Sequence, residues 1–241
     1  MSAAKLRCGF RNGFTTIQSS GDMSGKQIIT SKDIQTWDKH FRTKFIQTLP
    51  GFKPLLLIGT MGNNLVPNLA PFSNVVHIGS EPPLLGIVFR PDSVSRHTLE
   101  NIRSTAYFSL NSVDEAHIAQ AHQCSARYDA DQSEFEETGL TVQWYGDFQG
   151  VPFVQESAIH IFMRLEEEIA IRSNGTHLII GRIEKVAMPQ EWIKKDGGID
   201  HFNAGTIVSL GLDTYAQAID RAVFPYAKVP GQRIFVENNV Q

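Results

Sequence analysis

Two long apolar runs set the architecture before anything else is read: AIHIFMRL at 158–165 and HLIIGRIEKVAM at 177–188, on either side of Ser173-Asn174-Gly175-Thr176. Such runs about a glycine-bearing turn predict a hairpin of two long strands. Strands joined this way pair antiparallel, because a parallel pair needs a crossover of roughly a dozen residues or more. Shorter runs of the same kind come earlier, LLLIGT at 55–60, VVHIG at 75–79, LLGIVF at 84–89 and AYFSL at 106–110. Gly-Asn-Asn, Glu-Pro-Pro and a polar helical interlude separate them. The expected fold is mainly β, an antiparallel β-barrel with helices packed outside.

The helical signals are fewer. Thr30-Ser31-Lys32-Asp33 has the form of a capping box, and Ile34, Trp37, Phe41, Phe45 and Leu49 follow at three- and four-residue spacing. They predict one amphipathic helix that stops at Pro50-Gly51. A second helix is expected from Asp114 to about Ala126, and SEFEETGL at 133–140 reads as a polar turn. Residues 1–25 have no apolar segment of the kind a secretory signal needs and read as a loose tail. Residues 26–241 read as one domain with an elaboration.

Several function classes lose their support. A formal charge of -3 gives no electrostatic reason to expect nucleic acid or an anionic membrane as partner. Two cysteines, Cys8 and Cys124, are too few for a disulfide scaffold, and no apolar run reaches the roughly 18 residues of a membrane span, so a reducing cytoplasm is the expected location. Phosphate-loop, dinucleotide and nucleophile-elbow glycine motifs are missing. His117, His122 and Cys124 crowd one predicted helix, but residues five apart diverge by about 140° around it, which argues against a metal site. Glu166, Glu167 and Glu168 abut a predicted strand end and read as a solvated turn rather than paired catalytic carboxylates.

One segment points to a ligand. In FRPDSVSRHTLENIRST, Arg90-Pro91 closes an apolar strand and a polar loop leads into a short helix beginning near Arg96. Ser95, Arg96, His97 and Thr98 then stand at a helix N-terminus, where unpaired N–H groups and the positive dipole end attract an anion. Arg90 and Arg96 add guanidinium groups suited to phosphate. Just upstream, NLAPFSN at 68–74 is a polar, proline-bearing turn beside a hydrophobic strand. A phosphate anchor next to backbone donors and an apolar wall is what flavin mononucleotide (FMN) requires.

At these residues the chain resembles the flavin reductase-like family of FMN-binding split barrels, which includes flavoredoxins and the reductase components of two-component monooxygenases. The resemblance runs from about Ile34 to Ala227, through NLAPFSNVV, PPLLGIVFRPD, RHTLENIRSTAYFSLN, SEFEETGL, GTHLIIGRIEKV and GLDTYAQ. It implies a Greek-key split barrel assembled as a homodimer. The flavin ring would lie along Asn68, Leu69, Ala70, Pro71, Phe72, Ser73 and Asn74. Phe89 and Arg90 would line the ribityl side, and Ser95, Arg96, His97 and Thr98 the phosphate. The implied activity is hydride transfer from NADH or NADPH to flavin, with an oxygenase or electron-transfer protein as possible acceptor. The alternatives are an FMN-loaded electron carrier reduced by a protein partner, and a non-catalytic binding barrel. Many reductases of the family carry Gly-Asp-His five residues before the strand glycine matched here by Gly181. This chain has Thr176 there, and His177 one residue later. Strand alternation turns His177 to the opposite face, so the resemblance carries no nicotinamide-facing role to it.

Overall fold

The computed structural model describes residues 25–148, 150–219, 222–225 and 227. Residues 1–24 of the expected tail, and Cys8 with them, lie outside the described residues. The described residues up to Phe45 belong to one compact unit and those from Ile46 onward to another.

The first helical signal splits in two. Helix α1, Ser31–Thr36, has the expected capping box: the Asp33 N–H donates to Thr30 Oγ1 at 3.3 Å, and the Thr30 N–H to Asp33 Oδ2 at 2.8 Å. It ends at Trp37, and α2, Lys39–Thr48, starts afresh because Asp38 Oδ1 accepts from the His40 and Phe41 N–H groups. An aspartate that caps new amides in this way competes with helix continuation. The apolar stripe survives the break, with the Trp37 ring edge-on to Phe41 and Phe45 at centroid separations of 5.0 and 4.9 Å. Gly51, at φ 80°, donates its N–H to Thr48 O and closes the helix as expected.

Among the described residues, twelve strands follow, with three α-helices among them. They are β1 (Lys53–Pro54), β2 (Leu56–Met61), β3 (Pro67–Phe72), β4 (Val75–Ser80), β5 (Pro83–Phe89), α3 (His97–Thr105), β6 (Tyr107–Ser112), α4 (Ile118–Gln123), α5 (Glu134–Thr138), β7 (Val142–Trp144), β8 (Pro152–Val154), β9 (His160–Ile171), β10 (Thr176–Ala187), β11 (Ile207–Leu210) and β12 (Thr214–Gln217). Seven strands form one antiparallel sheet in the order β3-β2-β6-β9-β10-β5-β4, with the predicted long hairpin β9–β10 near its centre. Strands β1-β11-β12 make a smaller sheet, and β7 pairs β8.

The large sheet must curl. Its edge strands β3 and β4 are separated in sequence only by Ser73 and Asn74, a chain reach of about 11 Å. Across a flat sheet, six strand spacings would put those edges about 29 Å apart. Asn74 O accepts the Val88 N–H at 3.0 Å, so the short link after β3 already lies against β5, the partner strand of β4. This is the antiparallel barrel expected from the strand pattern, in the split form that the resemblance implies. One face buries Ile58, Ile87, Phe108, Leu110, Met163 and Ile179 together with Leu99 and Ile102 of α3; another cluster gathers Leu57, Leu69, Phe135 and Val154. Gly181 permits the close packing, since a Cβ there would meet Phe108 Cζ at 2.8 Å and Met163 Cε at 2.9 Å.

The stretch read as a polar turn at 68–74 is instead mostly edge strand. Residues 68, 70 and 72 face β2, opposite Thr60, Ile58 and Leu56, while the Leu69 N–H points away and donates to Glu134 Oε2 at 2.9 Å. Pro67 and Pro71 share the outward phase of Leu69, where a missing N–H breaks no ladder bond. Ser133 Oγ donates to Pro67 O at 2.6 Å. Two prolines four residues apart thus mark the outer edge of a strand, and the outward donor between them, the Leu69 N–H, is capped by a carboxylate.

Three further expectations shift. The helix expected over 114–126 is a short 3-10 turn at Glu115–His117 followed by α4, because Asp114 Oδ1 captures the His117 N–H at 3.1 Å. SEFEETGL contains α5, with Glu134 and Phe135 buried, since Ser133 and Glu134 dock it on β3. Glu166–Glu168 lie inside β9 rather than beyond its end; Glu166 meets Arg182 at 2.8 Å, and Glu168 meets Arg103 and His177.

Candidate functional site

The outer edge of β3 forms one wall of a cleft of about 620 Å³, a size suited to a small organic ligand or cofactor. Asn68, Ala70, Pro71, Phe72, Ser73, Asn74, Phe89, Arg90, Ser95, Arg96, His97 and Thr98 all line it. Leu69 does not: its side chain is fully buried in the core, and its backbone touches the site only through Glu134. Strand alternation makes that division, which a contiguous reading of 68–74 missed.

The wall is held by polar groups bonded to one another. Thr60 Oγ1, on β2, accepts from Asn68 Nδ2 at 3.2 Å and from Asn101 Nδ2 at 3.1 Å, and Asn68 Nδ2 also donates to Thr98 Oγ1 at 3.0 Å. Thr60, Asn68 and Thr98 are buried, so this network fixes the N-terminus of α3 against β3 in a dry setting. Helix α3 begins at His97 with Arg96 as N-cap, and no side chain caps it directly. Glu100 reaches back instead, accepting from Ser95 Oγ and from the Arg96 N–H, both at 2.9 Å. Ser95 therefore orders the loop, while His97 and Thr98, the first residues of the helix, line the cleft. The Arg96 guanidinium donates through Nε to Pro91 O at 3.3 Å, and Arg90 is exposed at the end of β5. The Phe72 and Phe89 rings lie 4.6 Å apart at an interplanar angle of 51° and supply an apolar patch beside these polar groups.

Sequence reasoning passed over the opposite wall. Glu134 lines the cleft and is buried; desolvation pushes its carboxyl above the usual carboxylate range, opposed by the Leu69 hydrogen bond and the nearby His97. Cys124 lies in the wall as a buried thiol, pushed up to about 12 by burial and so held as the neutral form. From the small sheet come Lys53, Ser209 and Tyr215. The Tyr215 hydroxyl meets His122 Nδ1 at 2.7 Å and Leu212 O at 3.2 Å, joining α4 to β12. No motif marks Lys53 or Ser209; the β1–β11–β12 pairing brings them beside Tyr215, the tyrosine of GLDTYAQ.

His177 stands elsewhere. It lies opposite Phe89 in the β5–β10 register, with Nδ1 2.7 Å from Glu168 and Nε2 3.3 Å from Asp92. Arg103 binds both carboxylates and holds each below its usual range. This cluster ties the loop after β5 to the β9–β10 hairpin. His117 and His122 are also separately engaged, with Asp114 and Tyr215.

Comparisons with known proteins place the arrangement. Residues 52–201 match the model of the flavin reductase like domain. A solved structure from Shewanella frigidimarina, described as a flavin reductase with a split barrel domain, is 40% identical, with a TM-score of 0.80 over 84% of this chain and 100% of its own. Nitrilotriacetate monooxygenase component B from Bacillus cereus shares the fold at 22% identity, with a TM-score of 0.73 over 83% of this chain and 100% of its own. An uncharacterised protein of Halalkalibacterium halodurans is 30% identical over 154 residues, 61% of this chain and 73% of that protein. With the family model covering more than half of its length, the chain belongs to the flavin reductase-like family.

Proposed function

We propose that the protein binds FMN in the cleft along β3 and transfers a hydride to it from NADH or NADPH. The observation that carries this reading is the convergence, on one cleft of a flavin reductase-like chain, of a helix N-terminus, two arginines and an apolar aromatic patch. The donor set fits the cofactor. The first-turn N–H groups of α3 with Arg96 and Arg90 suit a phosphate dianion. The strand from Ala70 to Asn74 and the Phe72–Phe89 pair suit a flat ring with polar edges.

The redox chemistry, hydride acceptance and onward delivery of electrons, belongs to the flavin when bound. The chain's own residues bind, orient and exclude water. Asn68, locked to Thr60 and Thr98, fixes the distance between the anion site and the strand that carries the ring. Positioning of this kind supplies much of the rate in a two-substrate transfer. No side chain is required as nucleophile or base, in keeping with the absence of any triad motif. We place the natural assembly as a homodimer, supported by Val76 and Ile78, which are exposed on the edge strand β4. An oxygenase or electron-transfer protein would consume the reduced flavin.

The test is a visible spectrum of the purified protein, repeated after anaerobic addition of each reduced nucleotide. A flavin absorbance bleached by NADH or NADPH is the expected result. A flavin spectrum that neither nucleotide bleaches would leave an electron carrier reduced by a protein partner, and protein that takes up no FMN would leave a non-catalytic barrel.

A further inference from the structure

Across the cleft from the phosphate anchor, one polar group lacks any partner. Ser209 is 2% exposed and lines the cleft, yet its hydroxyl makes no hydrogen bond within the protein, the only buried side-chain N or O atom of that kind among the described residues. A buried hydroxyl without a partner is costly, so it marks a place where another group completes the site.

Its neighbours say which group. Ser209 stands between Lys53 on β1 and Tyr215 on β12 in the sheet register, and side chains directly opposite in antiparallel strands share a face. All three line the cleft. The Lys53 ammonium donates to Gln47 O at 3.3 Å, and an ammonium carries three donors. The Tyr215 hydroxyl is already engaged by His122 and Leu212. The row therefore offers donors and positive charge, and it suits a ligand edge that bears acceptor oxygens.

The place of the row along the cleft narrows the choice. Leu56 pairs with Phe72, so the chain from Lys53 to Leu55 enters beside the Phe72 end of β3. The N-terminus of α3 is tied to the Asn68 end through Thr98. These ends are four residues apart, about 13 Å along a strand. A ligand with its phosphate at the Asn68 end brings its head group to the row.

Resting on the FMN reading, we propose that Ser209 and Lys53 bind the pyrimidine edge of the flavin ring, the edge that carries its two carbonyl oxygens. Ser209 donates its hydroxyl to a ring oxygen, and Lys53 adds positive charge beside it. The opposite edge of the ring, a dimethylbenzene, offers nothing for either group to bind and is directed away from the small sheet.

The test compares FMN with riboflavin, which keeps the ring and lacks the phosphate, by fluorescence titration of the full chain. Ser209→Ala weakens binding of both ligands by the same factor, about three- to tenfold, while the melting temperature of the ligand-free protein stays unchanged or rises, because an unpartnered hydroxyl has been removed. Lys53→Gln weakens both ligands as well and carries the test if Ser209→Ala does not fold. Arg96→Ala, by contrast, weakens FMN and leaves riboflavin unaffected. Wild-type affinity for both ligands in every row variant that folds overturns the inference. Wild-type protein that binds no FMN instead overturns the functional reading beneath it.

Discussion

The two walls of the cleft treat their polar groups in opposite ways. On the β3–α3 wall, Asn68, Thr60, Thr98 and Asn101 are bonded to each other, Ser95 and the Arg96 amide to Glu100, and the Leu69 amide to Glu134. On the small-sheet wall, Ser209 has no partner, and Lys53 makes one long bond to a backbone carbonyl. The first wall is built for shape: its donors are satisfied before any ligand arrives, and it presents backbone amides and a helix end in fixed positions. The second is built for contact, with donors held in reserve. Substitutions of groups already bonded within the protein should therefore act on stability, whereas those of donors held in reserve should act on binding alone.

The largest effect expected is on the first wall. Asn68→Ala removes the donor shared by the Thr60 and Thr98 hydroxyls in a buried setting. It should cost roughly 2–4 kcal/mol of stability, since buried groups left without partners lose more than the bond itself. Chemical denaturation measures it, and FMN affinity should fall in parallel as α3 loosens from β3. A variant with wild-type stability would show that the network is incidental to the wall. Next comes Arg96→Ala, whose guanidinium makes one bond, to Pro91 O. Loss of a charge-assisted contact to phosphate should weaken FMN by roughly 1.5–3 kcal/mol with little change in stability. Unchanged FMN affinity would move the phosphate elsewhere.

The same contrast explains what could be read in the sequence. The long hairpin, the strand β5 and the start of α3 are local: alternation, a Gly-bearing turn and a polar loop before a helix all act over a few residues. They put Phe89 at the end of an apolar strand and the helix start near Arg96, where β5 ends and α3 begins. The strand β3 was misread because Pro67 and Pro71 signal a turn unless the strand is known to be an edge, and that is a property of the whole sheet. Glu134 looked like part of a polar turn because its burial depends on Leu69, 65 residues away. Ser209 and Lys53 meet only through the β1–β11 pairing, over 150 residues apart in sequence, and neither belongs to any motif. What long-range pairing decides, local pattern cannot carry.

Glu134 sits where the two walls meet, and its titration sharpens the comparison. Burial raises its pKa in the folded chain, with the Leu69 amide and His97 opposing the shift. A carboxyl with a raised folded pKa contributes stability that is fully present below its unfolded value and is lost as pH rises through the folded value. Glu134→Gln stays neutral and can still accept the Leu69 N–H. Its stability relative to wild type should therefore increase from pH 4 toward pH 8, read as a widening gap between two melting curves. It should also bind FMN no more weakly at pH 8, since one negative charge leaves a cleft that takes a dianion. A gap that stays constant with pH would show that the carboxyl titrates normally.

The smallest effect expected is at Tyr215, the member of the small-sheet row whose hydroxyl is already engaged. Tyr215→Phe removes the bonds to His122 Nδ1 and Leu212 O but keeps the ring edge-on to His122, at a centroid separation of 5.8 Å. The loss should be about 0.5–1.5 kcal/mol of stability, the net worth of a partly exposed hydrogen bond. Because that hydroxyl serves the protein rather than the ligand, riboflavin affinity should change by less than about twofold, well under 0.5 kcal/mol. Ser209→Ala, two strand spacings or less away, should do the reverse, altering affinity and sparing the ligand-free fold. If Tyr215→Phe instead weakened riboflavin as much as Ser209→Ala does, the division between engaged and reserved donors would fail on the wall where it is drawn most finely.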